Sequence, residues 1–129
     1  MAINGKVVAR RRPSSTVVKQ YIAPKIVKVA NDDDVAQVMC DGMTITREEA
    51  LLAIKRMVEA VGLFLRNGHS VKISNLGTFS LSFTCEGADR VEDLTVNNVK
   101  KINTNLRFVN EFREKIQKTE IVLDKEKKN

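Results

Sequence analysis

Between Thr46 and Phe83 the chain reads TREEALLAIKRMVEAVGLFLRNGHSVKISNLGTFSLSF, a helix pattern punctuated at both ends and followed at once by a strand pattern. Thr46 can cap the free N–H groups of a first turn, and Glu49, three residues on, can reach back to complete a capping box. Asn67-Gly68 supplies the left-handed residue that ends a helix without steric cost. Inside these limits Ala50, Ile54, Met57, Val58, Val61, Phe64 and Leu65 recur at offsets of three and four and share one side of the spiral. The other side carries Glu48, Lys55, Glu59 and Arg66, but also Leu52 and Leu63, about three turns apart. That second apolar pair predicts a further neighbour, an earlier helix or another subunit. Val71 and Ile73 then alternate with Lys72 and Ser74, and Phe79, Leu81 and Phe83 with Ser80 and Ser82. A period of two predicts two half-buried strands, joined at Asn75-Leu76-Gly77.

Upstream, residues 3–12 and 17–29 are extended segments rich in Val and Ile around Arg12-Pro-Ser-Ser-Thr16, which predicts a β-hairpin with a basic tip. Pro24 cannot donate to a ladder, so it places the second strand at a sheet edge or a bulge. Asn31 to Asp34 opens a short helix, its acids set where the helix dipole favours them. Val35, Val38 and Met39 are its expected buried stripe and Asp41-Gly42 its end. Consecutive carboxylates in one turn point in different directions, so the acidic triplet reads as a cap rather than a metal site. Beyond Phe83 the stretch TCEGADRVEDLTVNNVKKINTNLRF alternates only thinly. Glu86, Asp89, Glu92 and Asp93 make its first half acidic, and no proline follows Pro24. Asn105 to Phe108 resumes a strand with Leu106 and Phe108 on one face, and Asn110 caps a helix expected to bury Phe112 and Ile116. TEIVLDKEKKN ends the chain with one short apolar strand and a frayed charged tail.

A length of 129 residues with 43% hydrophobic residues predicts one domain. Five Phe, one Tyr and no Trp make its core mainly aliphatic. The net charge of +6 favours an anionic partner, nucleic acid first. The charge lies in blocks. Residues 1–29 hold Lys6, Arg10, Arg11, Arg12, Lys19, Lys25 and Lys28 with no acid, residues 30–50 set six acids against Arg47, and residues 100–118 turn basic again. Such blocks predict distinct basic and acidic faces. Cys40 and Cys85 have no metal-ligand spacing, and the single His69 adds no zinc site, so both thiols read as reduced in a cytosolic protein. Met1 to Gly5 lacks the apolar core of a secretory signal, and Lys55, Arg56 and Glu59 rule out the long helix as a membrane span. No Ser-His-Asp set, Gly-rich phosphate loop or metal cluster is visible, and His69 reads as a solvated turn residue. The chain is therefore read as no enzyme, with no cofactor and no small-molecule substrate.

The helix, Asn-Gly and HSVKISNLGTFSLSF resemble the HU and integration-host-factor family of bacterial histone-like DNA-binding proteins. Leu76-Gly77-Thr78-Phe79 matches the last four places of that family's Gly-x-Gly-Thr-Phe-type turn, and Val35 to Thr46 stands where it has its first helix and the loop after it. Phe108 with the following FREKIQ segment takes the place of its short last helix, so the resemblance covers about residues 31 to 118. HU-like proteins of the Bacteroides group are similar in carrying an N-terminal extension. The resemblance implies an α+β fold: a two-helix hairpin, a three-stranded antiparallel sheet with an arm, and a short C-terminal helix, to which this chain adds an N-terminal β-hairpin. It implies a single HU-like domain over 1–129, made of an extension over 1–30, a core over 31–118 and a strand with tail over 119–129. The family's long arm ends in an Arg-Asn-Pro motif whose proline wedges between base pairs. Here the arm is a few residues shorter, partly acidic and without proline, so wedge-driven kinking loses its residue.

Two functions compete at this point. The first is non-enzymatic, sequence-tolerant binding of double-stranded DNA by a bacterial nucleoid protein of the cytoplasm, condensing DNA through phosphate neutralisation and counterion release. Its candidate contacts are Arg10, Arg11 and Arg12 in the hairpin, Lys72 on the outward face of the first saddle strand, and Arg90, Lys100, Lys101 and Arg107 along the arm and its return. Strand alternation sends Arg11 to the opposite face from Arg10 and Arg12. The second is an HU-derived scaffold that binds protein, favoured by the acidic, proline-free arm and a hairpin that could cover the saddle. Leu52 and Leu63, together with the resemblance, predict a homodimer under either reading.

Overall fold

The computed structural model describes residues 1–14 and 16–124; Ser15 of the predicted turn and the predicted charged tail, 125–129, lie outside the described residues. The chain forms two compact units, residues 31–113 and residues 1–30 with 114–129. Both are built on three-stranded sheets, and the fold is α+β.

In the unit 31–113, α1 (Asp32–Asp41) and α2 (Arg47–Arg66) are joined by a short loop and lie against each other. Asn31 caps α1 reciprocally: its Oδ1 accepts from the Asp34 N–H at 3.2 Å, and its own N–H donates to Asp34 Oδ2 at 3.1 Å. Thr46 Oγ1 accepts from the Glu49 N–H at 3.1 Å and donates to Glu49 Oε1 at 3.2 Å, so the predicted box closes on the hydroxyl rather than on the cap's backbone. Asn67 ends α2, with Gly68 beyond it at φ +84°. Ala36 and Ala50, one on each helix, are fully buried. The stripe expected on α1 is corrected: Val35 and Val38 are exposed, and the covered arc runs through Ala36, Met39 and Cys40. One residue turns a helix face by about 100°, so the spacing was right and its starting point wrong.

Strands β3 (Val71–Ile73), β4 (Gly77–Cys85) and β5 (Val99–Phe108) follow in an antiparallel sheet of order β3-β4-β5. Asn75 holds the turn between β3 and β4 at φ +71°, a conformation that asparagine tolerates. Gly77 starts β4 where the backbone of Arg107 comes so close that a Cβ would overlap its carbonyl oxygen. β5 begins at Val99, six residues earlier than the sequence pattern indicates, because the partner strand rather than apolar alternation extends it. α3 (Asn110–Gln117) follows, and Phe112 stacks on Phe108 with centroids 5.1 Å apart. Ile116, expected to be buried, is half exposed.

In the other unit, β1 (Ala2–Arg11) pairs antiparallel with β2 (Val18–Pro24) from Gly5↔Pro24 to Arg11↔Val18. The C-terminal strand β6 (Glu120–Asp124) lies parallel to β1 on its other side, from Ala2↔Glu120 to Lys6↔Asp124, giving the order β2-β1-β6. The predicted hairpin is present, but its second strand ends at Pro24, not at residue 29, and Pro24 sits on an edge strand as its missing N–H requires. The β6 pairing has no signal in the local pattern. Gly5 lies beneath Ile22 and Ile121, whose methyl groups stand 2.7 and 3.7 Å from where a Cβ would be.

Candidate nucleic-acid interface

Register decides which cations share a surface. In β3-β4-β5 the pairs Lys72↔Thr78 and Thr78↔Arg107 set Lys72, Thr78 and Arg107 in one row across all three strands. Directly opposed residues lie on the same face, so Ser80↔Asn105, Ser82↔Asn103 and Thr84↔Lys101 continue that face into the arm. Asn103 Nδ2 donates to Thr84 Oγ1 at 2.9 Å and Asn105 Nδ2 to Ser82 Oγ at 3.2 Å, tying the two long strands together through their side chains. The result is a neutral ladder of amides and hydroxyls with cations at its ends. The reverse face carries Val71, Phe79, Leu81, Phe83, Ile102 and Leu106, with α2 against β3 and β4.

The other predicted arm cations stand apart from this row. Lys100 is the additional residue of a β-bulge between Thr84 and Cys85, and its Nζ lies 3.7 Å from Glu86 Oε2. Both side chains are largely solvated, so the pair contributes little energy. Arg90 precedes a short 3-10 turn at Val91–Asp93 in the arm tip. The tip is closed at its base by Glu86 N–H donating to Asn98 O at 2.8 Å and Asn98 Nδ2 donating to Glu86 O at 3.1 Å. Lys72 shares an open cleft of about 360 Å³ with Ser74, Asn75, Asn110 and Glu111, whose carboxylate tempers the positive potential at that end.

In β2-β1-β6 the predicted arginines divide between two faces. Arg10 stands opposite Lys19, whereas Arg11 stands opposite Val18 on the reverse side with Val7, Ile22, Ile121 and Leu123. Arg12 rejoins Arg10: an open cleft of about 320 Å³ is lined by Arg10, Arg12, Ser14, Val17, Lys19 and Tyr21. Among the described residues none of Arg10, Arg12 and Lys19 forms an ion pair with a carboxylate. Sequence reasoning missed Lys19 and Tyr21. Counting alternate positions back from the Pro13 turn would have aligned Lys19 with Arg10, had the loop length been known.

A family model described as "HU domain fused to wHTH, Ig, or Glycine-rich motif" matches residues 1–122, which takes in both sheets except the last two residues of β6. The chain belongs to the HU-HIG family. The match takes in the N-terminal hairpin as well as the HU-like helices and arm, so in this family the hairpin falls within the matched unit. Among solved structures, the HU-HIG chain is similar to a "Putative bacterial DNA binding protein" from Bacteroides vulgatus, with a TM-score of 0.69 at 19% identity. That alignment covers 99% of this chain and 50% of the other, so the chain spans half the length of its structural neighbour. At that identity the likeness speaks for the fold. No curated protein matches the chain. Among the described residues no helix is long and apolar enough to cross a membrane.

Proposed function

We propose that this HU-HIG protein binds double-stranded DNA with little regard to sequence, as a nucleoid-associated protein of the bacterial cytoplasm that helps condense the chromosome. The observation that carries this reading is the Lys72, Thr78, Arg107 row continued by the amide and hydroxyl ladder to Lys101, a polar sheet face on a chain with an HU domain. Cations at the ends of a neutral hydrogen-bonding strip suit a duplex, since the phosphates attract the ends while the strip lies against sugar and groove edges without like-charge repulsion. Arg10 and Arg12 of the hairpin add phosphate contacts; Arg11 is on the opposite face of β1 by register, though all three line one open cleft beside Pro13. The outward side of α2 mixes Glu48 and Glu59 with its cations, and Glu59 already holds Arg56 at 3.2 Å, which makes it a poor major-groove reader.

The binding species is a homodimer in this reading. Leu52 and Leu63 on α2 are 57% and 60% exposed, and Phe83 and Ile102 on the reverse face of the sheet are 62% and 60% exposed. A protein that left these side chains in water would forgo most of the stabilisation their burial supplies, about 1.5–3 kcal/mol each. A mobility-shift titration of the purified chain against random-sequence duplexes at two salt concentrations tests the reading. Equal affinity across sequences and a steep loss with salt support it; absence of binding at low salt removes it in favour of a protein partner.

A further inference from the structure

The hairpin face holds a residue that phosphate binding alone does not use. Tyr21 lies on the same face as Arg10 and Lys19, and with Arg12 they line one cleft. The residue is 41% exposed, and among the described residues its hydroxyl makes no hydrogen bond. Lys6 continues the face further along β1, but it stands between Ala23 of β2 and the acidic position Asp124 of β6 and is left out of the site. An accessible ring among unpaired cations is the arrangement that holds unpaired nucleotides: the cations track the backbone, and a base stacks on the ring. A duplex can use only the cations, because its bases already stack on one another.

We propose that the face formed by Arg10, Arg12, Lys19 and Tyr21 is a binding site for single-stranded nucleic acid, with one base seated on Tyr21. The proposal deepens the hairpin part of the reading above and rests on its assignment of Arg10 and Arg12 to phosphate. Alternation in β1 places successive same-face residues about 6.6 Å apart, so an extended strand can run along the end of β1 past Arg10 and Arg12. Lys19 and Tyr21 approach from β2.

The chain contains one Tyr and no Trp, so its intrinsic fluorescence reports on this site alone. The test titrates the full chain with a twelve-nucleotide oligo-dT and with a duplex of the same length, reading Tyr fluorescence and the anisotropy of an end label. Oligo-dT is expected to quench Tyr21, and the duplex to bind without quenching it. Tyr21→Ala should weaken oligo-dT binding about tenfold, within the range for losing one stacked base, and leave duplex affinity unchanged, while Tyr21→Phe keeps both. Lys19→Gln should lower the oligo-dT salt slope by about 0.7. Unquenched Tyr fluorescence at saturating oligo-dT overturns the proposal even if Tyr21→Ala does not fold, and so does an equal loss of both ligands in a folded Tyr21→Ala. Quenching by oligo-dT with no duplex binding would leave this site standing and remove the duplex reading; duplex binding without quenching would do the reverse.

Discussion

The two three-stranded sheets carry charge in opposite ways. On the polar face of β3-β4-β5 the cations Lys72, Arg107 and Lys101 sit at the ends, and Ser80, Ser82, Thr84, Asn103 and Asn105 fill the space between them. On the corresponding face of β2-β1-β6 the cations Lys6, Arg10 and Lys19 are spread along the strands themselves, with Arg12 at the tip and the acidic positions Glu120 and Asp124 confined to β6. In the proposed reading the first sheet fits a duplex and the second attracts one. Under that reading an arm with Glu86, Asp89, Glu92 and Asp93 in its first half is compatible with DNA binding, because the hairpin, where no acid precedes Asp32, would supply the attraction.

The largest expected effect tests whether the arm sheet depends on a partner more than the hairpin sheet does. Phe79→Ala removes a ring from the apolar face next to Leu106 and should cost about 3–5 kcal/mol, with the dimer dissociating alongside. Urea denaturation followed with light scattering reads both, and a folded monomer at micromolar concentration in the wild type would refute the dimer. A pair of glycine substitutions sharpens the same contrast. Gly77→Ala forces a methyl against the Arg107 backbone, which cannot turn aside, and should cost about 3 kcal/mol in urea denaturation. Gly5→Ala meets the side-chain tip of Ile22, which can rotate away, and should cost under about 1 kcal/mol in the same measurement.

Two smaller effects bear on charge. Arg10→Ala with Arg12→Ala should reduce the salt slope of duplex binding by about two and weaken all sequences alike, with circular dichroism unchanged. If that double variant binds as wild type does while Lys101→Ala with Arg107→Ala does not, the hairpin is structural and the arm sheet carries the attraction. Lys100→Ala should have the smallest effect, under about 1 kcal/mol on stability, because the Lys100–Glu86 pair is solvated on both sides.

How legible all this was in the sequence varies with the range of the interaction. Capping at Thr46, termination at Asn67-Gly68 and the turn at Asn75 are local chemistry, and the structure places them where the residue types indicate. Facing is harder. Val35 and Val38 have helical spacing yet are exposed, because Ala36, a weaker hydrophobic signal, is the residue that fits closely against its surroundings. Pairing between distant segments is harder still. Nothing in IVLD says that it will lie parallel to β1, and the arm's return strand is held by Asn103 and Asn105 side chains that score as loop formers. The cation groupings have the same origin. Lys72 with Arg107 and Arg10 with Lys19 become neighbours only through register, which residue composition does not contain.

In the proposed function, phosphate attraction drives binding to double-stranded DNA. Its most direct test is the slope of log K against log salt concentration for the wild-type chain on a random-sequence duplex. Arg10, Arg12, Lys72, Lys101 and Arg107 predict a slope of about −4.5, five phosphates at −0.9 each; a slope shallower than about −1.8, or strong discrimination among sequences at constant salt, would contradict phosphate-driven binding.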